Sequence, residues 1–174
     1  MRRCAINGAL LVIVLVAAGV LAQQAAEPVH YSKLLPFLPD KVAGFVADKP
    51  KGSTTSAMGL KLTEVSRVYH RGSARASDTV TVKITDGAGN PFFAAAYADA
   101  KQFNNESPEG YQKGFTLDGY PAIEQYAHAT KEGSLSVLIA DHDLVEISVK
   151  GLDSATLQEW WKKIDAKTLA ALRE

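Results

Sequence analysis

Between Thr79 and Thr85 the chain alternates cleanly. Val80, Val82 and Ile84 take one side, and Thr79, Thr81, Lys83 and Thr85 take the other. A period of two sends successive side chains to opposite faces of a strand, so one face is buried and the other is wet. The pattern returns in Leu135, Val137 and Ile139, and in Val145, Ile147 and Val149 set against Glu146, Ser148 and Lys150. "LKLTEVSRVYHRG", from Leu60, alternates in part and is rich in β-branched and aromatic residues. Polar outer positions favour an antiparallel sheet with one face open or lightly covered over a parallel sheet buried on both sides. From Gly114 to Gly151, punctuation at Asp118-Gly119, Glu132-Gly133 and Asp141-His142-Asp143 predicts a β-meander.

The segments between these runs read differently. "VAGFVADK" suits a short strand, whereas "PKGSTTSAMG" reads as a polar, mobile surface loop, "SARASD" as a turn and "NNESPEGYQKG" as another loop. That last loop contains Asn105-Glu106-Ser107, a glycosylation acceptor wherever the machinery exists. Leu34, Leu35, Phe37 and Leu38, broken by Pro36 and Pro39, predict one or two helical turns packed on a sheet edge. In "DGAGNPFFAAAYADAKQF", Gly87 and Gly89 match the first two glycines of a dinucleotide fingerprint, but Phe92 replaces the third and the P-loop ending is missing. The simpler reading is a helix capped by Asn90 with Pro91 at its first position, packing Phe92, Ala96 and either Ala100 or Phe103 on a sheet. The closing segment predicts one amphipathic helix capped by Asp153 or Ser154, with Leu157, Trp160, Trp161, Ile164, Thr168 and Leu172 on one stripe. The tandem tryptophans are expected in the core, and Trp160, nearer the stripe's edge, is the one expected to be partly exposed. The expected fold is α+β: a mainly antiparallel sheet of five to seven strands, packed by an internal helix and a C-terminal amphipathic helix.

Residues 1–22 change the picture of location. Two arginines, an apolar run from Ala9 and the small-residue ending Val20-Leu21-Ala22 predict a cleaved secretory signal peptide. A retained anchor is the alternative, since the run approaches the lower limit of about 17 residues for a membrane span. Arg2-Arg3 leaves the export route open. Residues 23–29 read as a flexible leader and 30–174 as a single α+β domain. Cys4 is the only cysteine, so the processed chain has no disulfide, thiol nucleophile or thiolate ligand. The chain's 19 basic and 19 acidic residues become 17 and 19 without Arg2 and Arg3, a formal charge of −2. That balance gives no electrostatic reason to expect a nucleic-acid partner.

Candidate chemistry is sparse. His30 lies in the leader and His70 at a strand end, while His142 sits between two aspartates in a turn that reads as solvated rather than metal-binding. No serine-hydrolase elbow or Ser-x-x-Lys motif is present. Glu124, Tyr126 and His128 share one side of a strand, taken to be its solvated side. With Trp160 they form the candidate binding surface. The resulting expectation is a periplasmic or secreted, non-enzymatic binding or accessory module, with no cofactor, no metal, no membrane span after processing, and an unknown protein or small-molecule partner. The alternatives are a carrier holding a small apolar ligand between helix and sheet, lined by Trp160 and Phe92-Phe93, and an exported hydrolase with a site around His142.

The ending "SLSVLIADHDLVEISVKGLDSATLQEWWKKI" resembles the C-terminal half of small exported bacterial domains of uncharacterised function, and in outline the PsbP-like α/β/α sandwich. The resemblance covers Gly114 to Leu172 and rests on the order of elements. It implies a central antiparallel sheet with helices on both faces, used for accessory and binding roles without catalysis, and assigns no functional residue.

Overall fold

The computed structural model describes residues 27–57, 60–88 and 90–173. The expected signal peptide and Cys4 lie outside them. Among the described residues nine strands form one antiparallel sheet: β1 (Phe45–Ala47), β2 (Lys51–Ala57), β3 (Leu60–Arg71), β4 (Thr79–Asp86), β5 (Asn104–Ser107), β6 (Gly110–Leu117), β7 (Tyr120–Ala127), β8 (Glu132–Ile139) and β9 (Asp143–Lys150). Their order is β1-β3-β4-β9-β8-β7-β6-β5, with β2 also paired to β3. The long β3 is edged twice, by β2 along its first half and by β1 at its end.

The strand count exceeds the expected five to seven for a physical reason. β2 and β5 lie at the sheet's edges and expose the side chains described on them. Burying neither face, they carry no apolar alternation, so "PKGSTTSAMG" and "NNESPEGYQKG" resemble loops although most of their residues form ladders. Polar edges of this kind also discourage pairing with other chains. Glu132-Gly133 likewise opens β8 rather than forming a turn. A Cβ at Gly133 would come within 2.7 Å of the Tyr126 ring, which accounts for glycine inside that strand.

The inner face carries Val65 and Tyr69 of β3, the valines and isoleucines of β4, β8 and β9, and Ala122 and Tyr126 of β7, all buried. It is covered by α1 (Tyr31–Leu34), the 3-10 turn Leu35–Phe37, α3 (Ala155–Trp161) and α4 (Ala166–Ala170). Leu34, Leu157 and Leu169 are fully buried there, each contributing about 1.5–3 kcal/mol. Trp160 meets Phe45 edge-on at 5.1 Å and Tyr69 at 4.5 Å. Only 2% of it is exposed, which corrects the expectation of partial exposure. The Trp161 indole N–H donates to the Asp118 carboxylate at 2.7 Å, tying α3 to the β6–β7 turn.

The C-terminal segment is two helices rather than one. Asp165 leaves helical geometry, accepts the Thr168 N–H at 3.0 Å, and so caps α4. Thr168 is therefore an exposed capping partner and Leu169 takes the core position. On the outer face, α2 (Pro91–Ala98) packs against β7 and β8, with Tyr97 half-buried. Asn90 caps it as expected, accepting the Phe92 N–H at 3.0 Å. Its packing stripe is Phe93, Ala94 and Tyr97, however, while Phe92 is 71% exposed. With apolar side chains around much of the helix, sequence alone does not select the buried side. No described helix is long and apolar enough to cross a membrane.

Candidate functional site

Away from α2 the outer face is open, and the strand register arranges its polar side chains in a row. Gln112 of β6 faces Gln125 of β7, Gln125 faces Ser134 of β8, and Ser134 faces Ser148 of β9. The Gln125 amide donates to the Ser134 hydroxyl at 3.1 Å. These residues line a trough of about 650 Å³, bordered by Glu109, Glu132, Glu146 and Lys150. The volume lies within the roughly 300–1,000 Å³ of small-ligand sites. Amides and hydroxyls supply both donors and acceptors there.

Of the predicted surface residues only Tyr126 adjoins this trough. Glu124 and Tyr126 do share a side of β7 and His128 follows them, but that side is the inner one. Glu124 is 2% exposed and Tyr126 7%, and only His128 reaches solvent. The Tyr126 hydroxyl donates to the Leu152 carbonyl at 2.9 Å. Glu124 lies in a cleft of about 370 Å³ between β6, β7 and α3. Its carboxylate accepts from the Tyr111 hydroxyl at 2.5 Å and the Gln158 amide at 3.0 Å, and pairs with Lys113 at 3.1 Å. Burial, and then the hydrogen bond to Glu124, push the Tyr111 hydroxyl up to about 12. Tyr111, Tyr126 and His128 stack loosely beside it, with centroids 5.6–6.1 Å apart. Trp160 and the Phe92-Phe93 pair lie on opposite faces of the sheet, so they do not line one pocket.

His142 is not in a solvated turn. Its side chain is 14% exposed and lies beside Asp143, which is 1% exposed. Asp141 does not complete the group. The residue that does is Asp86, fully buried at the end of β4 and opposite Asp143 in register. One ligating atom each of Asp86, His142 and Asp143 lies within 4.8 Å of the others. Asp86 accepts the Val29 N–H at 2.7 Å and the Ala88 N–H at 2.8 Å, and forms an ion pair with Arg173. Burial raises the Asp143 carboxyl above the usual carboxylate range, with His142 pulling it back and Asp86 adding to the rise.

No family model, curated protein or solved structure matches this chain. Its functional reading rests on its own geometry.

Sequence reasoning missed both Asp86 and the Gln112–Ser148 row, although each left a signal. Asp86 is in phase with Val80, Val82 and Ile84, and Asp143 with Val145, Ile147 and Val149. A carboxylate on the apolar phase of a strand marks a buried charge, which needs a partner or a proton. The row, by contrast, depends on register, and no local pattern shows which residues of four strands stand side by side.

Proposed function

We propose that this protein is an exported, non-enzymatic binding module that holds a polar, uncharged ligand in the trough of its outer face. The observation that carries the reading is the row of Gln112, Gln125, Ser134 and Ser148 across four adjacent strands at the floor of a trough of about 650 Å³. The neutral amides and hydroxyls of this row can both donate and accept hydrogen bonds, as a polar ligand requires. Export is supported by the apolar leader and its small-residue ending. The binding surface is thus still an open sheet face, but Glu124 and Trp160 are not on it, and Tyr126, which adjoins it, buries its side chain on the inner face.

The ligand class that suits this lining bears several hydroxyl or amide groups and no net charge, such as a short neutral saccharide. The test is a titration of isotope-labelled protein with neutral oligosaccharides, followed by amide chemical shifts. Shifts should concentrate on Gln112, Gln125, Ser134 and Ser148. A ligand bound there should weaken about tenfold or more on joint Gln112→Ala and Gln125→Ala substitution, at about 1 kcal/mol per lost hydrogen bond. His128→Ala should leave it unchanged. Unchanged affinity in the double variant, or shifts confined to the Glu124 cleft, would remove the assignment. The mass of the exported protein, expected to begin at Gln23, tests the processing.

A further inference from the structure

At the ends of β4 and β9, on the inner face and away from the trough, two carboxylates meet. Asp86 and Asp143 are register partners and are 0% and 1% exposed. Asp86 is fully served by two backbone N–H groups and Arg173. Asp143 is not. Its Oδ1 is buried with no hydrogen-bond partner, and the same is true of His142 Nδ1. That nitrogen lies 3.1 Å from Asp143 Oδ2, close enough for charge attraction but off the line of a hydrogen bond. An unsatisfied buried polar group costs about 1–3 kcal/mol, so proteins keep few of them without a use.

The turns that present these groups are themselves unfavourable. Ala140 and Asp141 have φ of 48° and 59°, and Ala88 has φ of 51°. The left-handed region costs an alanine about 1–2 kcal/mol. The Ala140-Asp141 pair makes the tight β8–β9 turn, closed by the His142 N–H on the Ile139 carbonyl at 3.2 Å. It brings the His142 ring beside Asp86 and Asp143.

We propose that Asp86, His142 and Asp143 bind one divalent transition-metal cation, with Zn²⁺ the best match, and that the cation displaces Arg173 from Asp86. One imidazole nitrogen with two carboxylates suits zinc, whereas calcium and magnesium take oxygen ligands. Zinc bonds of about 2.0–2.2 Å in tetrahedral geometry put ligand atoms about 3.4 Å apart. The three atoms, within 4.8 Å of one another, need a movement of about an ångström to reach that spacing. A divalent ion neutralises both carboxylates. The guanidinium then has no unpaired charge to answer and is repelled by the ion. Arg173 in this view is the resident cation of the metal-free protein.

Chelator-stripped protein, expressed as the full chain, is titrated with zinc chloride in a calorimeter, and the same titration is run on three variants. The expected result is one saturable site. Asp143→Asn, which preserves shape, and His142→Ala should each weaken it at least tenfold, with circular dichroism confirming the fold. Arg173→Gln should tighten it severalfold, because the competing cation is gone. A purely structural ion pair predicts the reverse: no saturable zinc binding in the parent, or binding that Asp143→Asn leaves intact. Weakened binding in folded Arg173→Gln overturns the displacement.

Discussion

Glu124 and Asp143 are both carboxylates on the inner face of the sheet, and both are almost wholly buried, yet their surroundings differ. Glu124 has a partner for each oxygen: a tyrosine hydroxyl, an amide and an ammonium. Asp143 has an oxygen with none, and a second carboxylate opposite it. Burial alone therefore says little about the role of a charged side chain. A satisfied carboxylate acts as a fastener between β7, β6 and α3. One left short of partners has spare coordinating capacity.

The contrast is sharpest in stability. Glu124→Ala should cost about 2–3 kcal/mol in urea unfolding, because it strands donors built around an ionised group. A loss below about 1 kcal/mol would break the comparison by showing that the Glu124 network gains little over solvation. Asp143→Asn should move the other way in metal-free protein, gaining about 1 kcal/mol, since the new amide can donate where two carboxylates face each other. A loss of stability on that substitution would mean that Asp143 already has a partner. Such a gain accompanied by lost zinc binding would be the usual exchange of stability for function.

The smallest effect lies in the pH dependence of the Glu124 side. Tyr111 keeps its proton to about pH 12 in the folded chain, against about 10 when unfolded. Its contribution is therefore complete below pH 10 and is lost as pH rises toward 12. Urea midpoints measured between pH 9 and pH 12 should fall more steeply for the parent than for Tyr111→Phe. Equal slopes would remove Tyr111 from the network's account.

What was legible in the sequence follows the same division between satisfied and unsatisfied positions. β3, β4, β8 and β9 alternate because one of their faces is buried, and the core tryptophans and the Asn90 cap are local signals. β2 and β5 left no trace because edge strands with exposed side chains need no apolar phase. For β7 the period was readable but its direction was not. Ile123 sits on the outer phase and Glu124 on the inner, the reverse of what polarity suggests, because Tyr111, Lys113 and Gln158 make the inner position polar. Those partners come from β6 and from α3, and no window around Glu124 contains them all. The pairing of Asp86 with Asp143 is more remote still, since it exists only once β4 lies beside β9.

That adjacency also has a kinetic meaning. Strands β5 to β9 pair each with its sequence neighbour, so this half of the sheet can assemble hairpin by hairpin, whereas joining β4 to β9 closes a long loop across all of them. Loop-closure entropy makes such a step late and slow relative to local hairpins. The two aspartates are therefore expected to meet near the end of folding. Reversible parting of the β4–β9 seam would separate them while the meander stayed intact, and a cation that bridges them would act as a clasp on that seam, slowing unfolding more than it speeds folding.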